Sequence, residues 1–278
     1  MRTSQRILDD TTGSLRDSTL DLNDYIANSV TFEYNTGEYI YIASEWPFSY
    51  RYFDVTTANT ETSSIEIQYW DSNEWRDTVD VLDETSSGGA TLAQSGYVFW
   101  GFDREYAWTL QDESKEVTGL SSTNIYQMYW SRIKFTANLT NTTALNYVGM
   151  KFCEDADIFA QYPDLNQSRL LRTFKTGKTD WDEQVFAASN AIVRELKRRG
   201  IIFSRSQVLE PDIFMDACIH KTAEIIYNAM GPAYLEQKEN AVKLFNQAMN
   251  LKGYIVDLNA DGEVDRSEKF NVVGSFHR

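Results

Sequence analysis

The chain has 278 residues and a formal net charge of −15, from 26 Lys and Arg against 41 Asp and Glu. Apolar residues make up 42% and aromatic residues 14% of the sequence, which excludes a disordered chain. The acidic excess excludes DNA binding by bulk charge, and no apolar run reaches the roughly 18–20 residues of a membrane-spanning helix.

Residues 1–25 are rich in Ser, Thr and Asp and predict an N-terminal arm or a loosely attached edge. They lack the apolar region of a signal peptide, so we expect a soluble protein that is made in a cytoplasm and not secreted. Further along, charge and aromatic residues are distributed unevenly. Residues 1–155 hold 10 basic and 24 acidic residues, net −14, and six of the seven Trp, which predicts a domain boundary near residue 155.

Short strands separated by turn residues are predicted over residues 26–160. Apolar and polar side chains alternate over residues 65–70 and again over residues 132–139, a period of two that is typical of strands. Between Trp70 and Trp75, Asp71-Ser72-Asn73 predicts a tight turn. This pattern indicates an antiparallel β-sandwich or jelly roll.

Beyond a linker over residues 161–180, the pattern over residues 181–253 becomes helical. Three amphipathic helices are predicted, each with a start and a stop signal. The first begins at a capping box of Thr179 and Asp182 and ends at Gly200. The second runs from Pro211 to Gly231, and the third from Pro232 to Gly253. Three such helices with short loops predict a small antiparallel bundle. The predicted fold class is therefore α+β in two domains.

The final segment, residues 254–278, begins with a twelve-residue match to a calcium-binding loop. Oxygen donors occupy positions 1, 3, 5, 9 and 12, a backbone carbonyl is expected to contribute from position 7, and Gly262 stands at position 6, where the loop turns sharply. The predicted ligands of a structural Ca²⁺ are Asp257, Asn259, Asp261, Glu263, Asp265 and Glu268. The alternative is a turn rich in Asp and Asn that orders itself without metal.

Signatures of catalysis are absent from the sequence. It contains no G-x-S-x-G, H-E-x-x-H, Walker or dinucleotide-binding motif, so we expect that the protein is not an enzyme. The two cysteines, Cys153 and Cys218, are expected to be reduced, buried thiols, and His220 is expected to have a packing role within a helix. The basic cluster of Arg194, Lys197, Arg198 and Arg199 lies at the end of a predicted helix, where positive charge interacts favourably with the helix dipole. The alternative is that it contacts an acidic neighbour or nearby DNA.

Two stretches of the sequence resemble virion proteins of tailed bacteriophages. The helical part, with DEQVFAASNAIVRELKRRGI, LEPDIFMDACIHKTAEIIYNAM and YLEQKENAVKLFNQAMNLKGYIVDLNADGEVDRSE, resembles the head-to-tail adaptor proteins over roughly residues 180–278. The aromatic β part, with YIASEWPFSYRYFDV, YVFWGF and YQMYWSRIKF, resembles β domains of virion structural proteins. The small adaptors lack so large a β domain.

The resemblance to adaptors implies a structural protein of the virion neck. Such proteins form a ring, usually of twelve copies, which binds the portal through a C-terminal arm, here residues 269–278. On its other side the ring contacts a tail or stopper protein, and DNA only passes through its channel, with no role for a membrane. The alternative from the aromatic strands is a tail or baseplate module that binds host glycans with the help of calcium.

Overall fold

The computed structural model describes residues 5–11, 13–25, 29–102, 108–110, 117, 119–120, 123, 125, 127–175, 177–250 and 256–262. Its chain divides into two compact units. The first unit consists of Met1–Gly149, Ser204–Leu209 and Asp257–Glu263, and the second of Met150–Phe203, Glu210–Val256 and Val264–Arg278. The described residues form two antiparallel sheets and six α-helices, so the α+β class is confirmed.

The described part of the first unit contains eleven strands and one short helix. Their bounds are β1 (Gln5–Asp9), β2 (Arg16–Asp17), α1 (Thr19–Asn23), β3 (Val30–Thr31), β4 (Ile40–Ser44), β5 (Tyr50–Thr57), β6 (Ile65–Trp70), β7 (Trp75–Asp77), β8 (Val79–Asp83), β9 (Gly96–Gly101), β10 (Tyr129–Phe135) and β11 (Ala144–Gly149). One sheet has the order β2-β1-β4-β10-β6-β7, and the other has the order β3-β11-β5-β9-β8.

Both sheets contribute side chains to one apolar core. Ile42 and Ile133 from the six-stranded sheet and Phe53, Val98 and Val148 from the five-stranded sheet are all at most 1% exposed and belong to this core. β-Branched and aromatic residues at every second position supply such a surface, because successive side chains of a strand point to opposite faces. The alternation seen in the sequence is therefore the core pattern of these sheets.

The tryptophans of the β region pack inside the unit. Trp70, Trp100, Trp108 and Trp130 are buried, and Trp46 and Trp75 are half-buried. The Trp70 and Trp75 rings meet edge to face at 5.3 Å across the turn between β6 and β7. Trp100 and Trp108 belong to the core shared by the two sheets, whereas Trp70 and Trp130 lie in a second buried cluster of the same unit.

Residues 5–9, which the sequence predicted as part of an arm, form a strand inside the sheet instead. β1 pairs with β4 along its whole length, and Ile7 and Leu8 are buried. The Asp9 carboxylate is fully buried and accepts hydrogen bonds from Arg16 Nε and Ser18 Oγ. The polar composition misled the prediction, because these polar side chains pair with one another instead of facing solvent.

The second unit is helical in its described part. Its helices are α2 (Asp155–Gln161), α3 (Ser168–Phe174), α4 (Asp182–Arg198), α5 (Met215–Met230) and α6 (Leu235–Ala248). The last three are the helices predicted from the sequence, and Gly200 and Gly231 follow α4 and α5 with φ of 71° and 88°. Helices α2 and α3 lie where the sequence predicted the end of the β domain and a linker, because each is too short to show a helical period.

The predicted capping box at Thr179 does not form. The N-cap of α4 is Trp181, and the Thr179 hydroxyl donates to the Asp180 carboxylate instead. The Trp181 N–H is bound by the carboxylate of Asp155, a residue distant in sequence. Helix α5 packs against both α4 and α6. No helix in the described ranges is long and apolar enough to cross a membrane.

Candidate functional site

The structure describes the first half of the predicted calcium loop. Asp257, Asn259 and Asp261 lie within the described residues, together with the glycine at position 6. The other three predicted ligands, Glu263, Asp265 and Glu268, lie outside them, as does the predicted arm over residues 269–278. The site can therefore be built from its first six positions.

Asp257 organises this half of the loop. Its side chain is fully buried, and its Oδ1 accepts the N–H of Ala260 at 2.7 Å. Its Oδ2 accepts the N–H of Gly262 at 3.1 Å and the indole Nε1–H of Trp46 at 3.1 Å. Three N–H donors thus satisfy one buried carboxylate, and such charge-assisted hydrogen bonds are stronger than neutral ones.

Gly262 is required at its position for two reasons. Its φ is +83°, a conformation that side chains disfavour. In addition, a Cβ at this position would lie 2.8 Å from the Phe102 ring and 3.2 Å from Pro47. The glycine at position 6 therefore serves both the turn and the close packing of the loop within the first unit.

The two exposed ligand candidates interact with each other. Asn259 Oδ1 accepts the N–H of Asp261 at 3.1 Å, and Asn259 Nδ2 donates to Asp261 Oδ2 at 2.9 Å. Across the described ranges, no group of three or more His, Cys, Asp or Glu side chains lies close enough to hold a metal ion. Hydrogen bonds between its own residues therefore connect the described half of the loop.

A second segment joins this loop. Within the first unit, the Asp257 N–H donates to the Gln207 carbonyl at 2.9 Å, and Gln207 Nε2 donates to the Asp257 carbonyl at 2.8 Å. Next to Gln207, Ser206 Oγ lies 2.7 Å from Ser44 Oγ. Sequence reasoning missed Ser204–Leu209, because its residues are too few to show a period and resemble an ordinary loop between helices.

Arg51 is the buried cation beside this segment. Its guanidinium donates to Gln5 Oε1 at 2.8 Å, to the Tyr50 carbonyl at 2.7 Å and to Ser206 Oγ at 3.1 Å, and it lies over the Phe48 ring. Among the described residues, the charged groups that act on it are Tyr50, Tyr147 and Arg205, and none of them is a carboxylate. Burial lowers its pKa to about 9. A lone arginine within a β strand gave no sequence signal of this burial.

Two other candidate groups have structural partners. His220 Nδ1 lies 2.9 Å from Tyr162 Oη, and burial lowers the pKa of the imidazole. In the basic cluster, Glu195 pairs with Arg198 and Arg199 at 2.7 Å each, and the hydrogen bond from Arg198 holds the pKa of Glu195 at about 2. Arg194 and Lys197 remain exposed.

In the second unit, the carboxyl of Asp155 has a perturbed pKa. Its oxygens accept the Trp181 N–H at 3.1 and 3.2 Å, yet burial raises its pKa to about 6, and the neighbouring Asp182 adds to the increase. The ordinary value is 3.8, so the folded state holds this proton more tightly than the unfolded state. Stability from this group is therefore gained as pH falls from 6 towards 3.8.

We expect Asp155→Asn to raise the melting temperature at pH 7.5 by roughly 2–4 °C, or about 1 kcal/mol, because it removes a poorly solvated charge and keeps an acceptor for Trp181. At pH 4.5 the effect should be near zero, since the native carboxyl is then protonated. Thermal unfolding at the two pH values measures the difference. The exposed Asp212→Asn serves as the control, and an equal shift at both pH values would contradict the assignment.

Comparison of the chain with protein-family models, with curated proteins and with solved structures gave no match. The function is therefore inferred from residues and contacts of this chain. Those contacts place Asp257 in a structural role within the first unit. Of the two aspartates in the described half of the loop, Asp261 is the exposed one.

Proposed function

We propose that the protein is a structural component of a bacteriophage virion, a ring-forming adaptor between the portal and the tail that extends the DNA channel. In this proposal the protein is not an enzyme, its first unit is a β-sandwich, and its second unit is a helical bundle. The resemblance of residues 180–278 to adaptors supports the role. A shared core between two sheets is what a sandwich requires.

The observation that carries the proposal is a pair of oppositely charged helix ends in the second unit. Arg194 and Lys197 are exposed near the end of α4, whereas Glu236 and Glu239 are exposed at the start of α6. Helix α6 buries fully only Ala241. Two different surfaces with complementary charge are suited to a head-to-tail contact between copies, and such a contact gives a ring when the rotation between successive copies closes.

Reversing either charged end should weaken assembly. We expect R194E/K197E, or E236K/E239K, to raise the concentration for half-assembly at least about tenfold, a loss of about 1.4 kcal/mol, because like charges would then face each other. Native mass spectrometry and negative-stain images measure the ring. These substitutions leave the Glu195 pairs with Arg198 and Arg199 intact.

The chain that carries all four substitutions is the decisive control, since it restores opposite charges and should assemble again. Glu84→Lys, on an exposed residue of the first unit, should assemble as the wild type does. A wild-type protein that stays monomeric with and without the portal would overturn the adaptor role. Assembly that ignores the reversals would overturn only this contact.

For the partners, we propose that residues 269–278 bind the portal and that the opposite end of the ring contacts a tail or stopper protein. DNA passes through the channel without being held, since 41 acidic residues against 26 basic ones disfavour phosphate binding. Deletion of residues 269–278 should abolish co-purification with the portal while the ring persists. Normal virion assembly with the deleted chain would contradict this role.

We propose further that the loop of residues 257–268 binds Ca²⁺ in a structural role. With a dissociation constant of about 0.1–1 mM, 5 mM Ca²⁺ should stabilise the protein by roughly 1–2 kcal/mol. Calorimetric titration and melting with Ca²⁺ or EDTA measure this. Asp261→Asn and Glu268→Gln should abolish the response, whereas Asp257 is unsuitable because its burial makes it structural.

In this experiment, an Asp212→Asn variant should respond to Ca²⁺ as the wild type does, because Asp212 lies outside the loop. Absence of both heat and a melting shift in the wild type would contradict the calcium site. The hydrogen bonds of Asp257 would then account for the order of the described half by themselves.

A glycan-binding tail or baseplate module is the second candidate, and a shallow pocket of the first unit with mostly polar lining residues favours it. The pocket has a volume of about 540 Å³ and is lined by Glu61, Asn138, Thr140, Asn141 and Thr142 among others. Hydroxyl, amide and carboxylate groups suit a sugar, but the buried tryptophans offer no stacking face. Saturation-transfer NMR with oligosaccharides, compared with Asn141→Ala, tests this candidate.

A further inference from the structure

Strand β8 is one outer edge of the five-stranded sheet in the first unit. Within the described residues it pairs with β9 on one side, and no strand lies along its other side. The other outer strands of the two described sheets, β2, β3 and β7, are two or three residues long. At five residues, β8 is the longest of these edges, and an open edge is a template for pairing with another chain.

The hydrogen-bond pattern shows which backbone groups of this edge point outward. The Glu84 N–H donates to the Tyr97 carbonyl at 2.9 Å, so these two residues form a hydrogen-bonded pair. Such pairs alternate with non-bonded pairs along an antiparallel ladder, and Asp83 faces Val98 in the adjacent pair. The N–H and C=O of Asp83 therefore point away from β9, towards the open side. The left-handed backbone of Asp80, with φ of 51°, marks a β-bulge that ends this regular ladder.

The side chains that this edge exposes are largely apolar. Val79, Val81 and Leu82 are between 38% and 57% exposed. Leu82 lies opposite Phe99 of β9, whose ring stacks on that of Tyr97 with centroids 5.3 Å apart. Both rings are half-buried. A strand added beside β8 would therefore continue this apolar surface with apolar side chains of its own.

The charged groups of the edge are all acidic. Residues 77–84 contain four carboxylates and no Lys or Arg, and Asp80 and Glu84 are exposed. An antiparallel pair of two β8 strands about Leu82 would place Asp80 opposite Glu84, and like charges at such positions are destabilising. A strand with Lys or Arg at these positions would bring opposite charges together instead. The charge pattern therefore favours a basic partner over a second copy of this chain.

We propose that the open edge of β8 is a docking site for an extended segment of another protein, in which apolar residues are flanked on both sides by Lys or Arg. The segment adds a strand to the sheet through main-chain hydrogen bonds to Asp83. Its apolar side chains pack beside Val81 and Leu82, and its basic side chains meet Asp80 and Glu84. This inference does not depend on the adaptor role, because it concerns a strand of the first unit and a different partner.

Fluorescence anisotropy with the full chain tests the proposal. The probe is a labelled peptide of about six residues in which a central run of Val is flanked by Lys on both sides. We expect saturable binding, together with protection of the Asp83 N–H from hydrogen exchange when the peptide is bound. A peptide with Glu in place of each Lys should bind at least about tenfold more weakly.

A pair of double variants tests the role of the acidic side chains. Asp80→Asn/Glu84→Gln should weaken binding about fivefold, because it removes the two charges that face the lysines. Asn tolerates the left-handed backbone at position 80, so the bulge should persist. Glu33→Gln/Glu45→Gln removes the same charge from exposed residues elsewhere in the first unit and should leave binding unchanged.

A methylated peptide separates strand pairing from adsorption of a cation to an acidic protein. With N-methyl groups at every second residue, the peptide keeps its charge but loses main-chain donors, so it should bind at least about tenfold more weakly. Equal binding of the methylated and unmethylated peptides would overturn the proposal, as would equal binding of the Lys and Glu peptides or no binding at all. Dimers of the free protein that protect residues 81–84 would assign the edge to a second copy instead of a basic partner.

Discussion

Asp257→Ala should destabilise the first unit by about 3 kcal/mol, because it leaves the N–H groups of Ala260, Gly262 and Trp46 without their buried acceptor. The segment around Gln207 should also lose protection against hydrogen exchange, since the side chain and the carbonyl of Gln207 both bind the backbone of residue 257. Urea unfolding and hydrogen exchange over residues 204–209 and 256–262 measure the two effects.

The controls separate this structural role from calcium binding. With EDTA present, Asp257→Ala should retain its full effect, whereas Asn259→Ala, on an exposed side chain of the same loop, should cost less than about 1 kcal/mol. Asp257→Asn keeps one acceptor oxygen, so its loss of stability should lie between those of Asp257→Ala and Asn259→Ala. Equal free energies of unfolding for the Asp257→Ala and Asn259→Ala variants would contradict the role of Asp257 as the residue that organises the loop.

Arg51→Ala is expected to have the second large effect, about 4 kcal/mol. It removes a fully buried side chain, and it leaves Gln5 Oε1, the Tyr50 carbonyl and Ser206 Oγ without their donor. Arg51→Met fills the space without a charge and should cost less than half as much, since burying a cation is itself expensive. Urea unfolding of both variants gives the comparison.

Arg76→Ala provides the matched control. Arg76 pairs with Asp71 and Glu74 at the surface of the same unit, so its removal should cost no more than about 1 kcal/mol. If Arg51→Met were as damaging as Arg51→Ala, the charge itself and not the filled space would dominate. If neither variant were destabilised, the inferred link between Arg51 and the segment Ser204–Leu209 would be wrong.

Local features of the fold were predictable from the sequence. Strand β6 follows the alternation of Ile65, Ile67 and Tyr69, and α4 and α5 end beside the glycines that the sequence marked. These signals depend on backbone conformation and on side-chain period, which a residue and its near neighbours set. Helices α2 and α3 were missed, because seven residues are too few to establish a period.

The candidate site was predictable in part. Spacing alone identified the turn around Gly262 and the oxygen-rich residues of the loop, because a glycine at a sharp bend is a local requirement. The burial of Asp257 was not predictable. Its partner Trp46 is 211 residues away in the chain, and nothing in either local sequence names the other.

By itself, the sequence determined the composition, the acidic charge of the first 155 residues, the strand and helix periods and the turn residues between them. Only the tertiary structure decided which distant residues meet: Trp46 with Asp257, and Arg51 with Gln5 and Ser206. The physical reason is that period and turn chemistry act between neighbours in the chain. Burial and pairing of polar groups depend instead on how the whole chain packs, and no short window of residues contains that information.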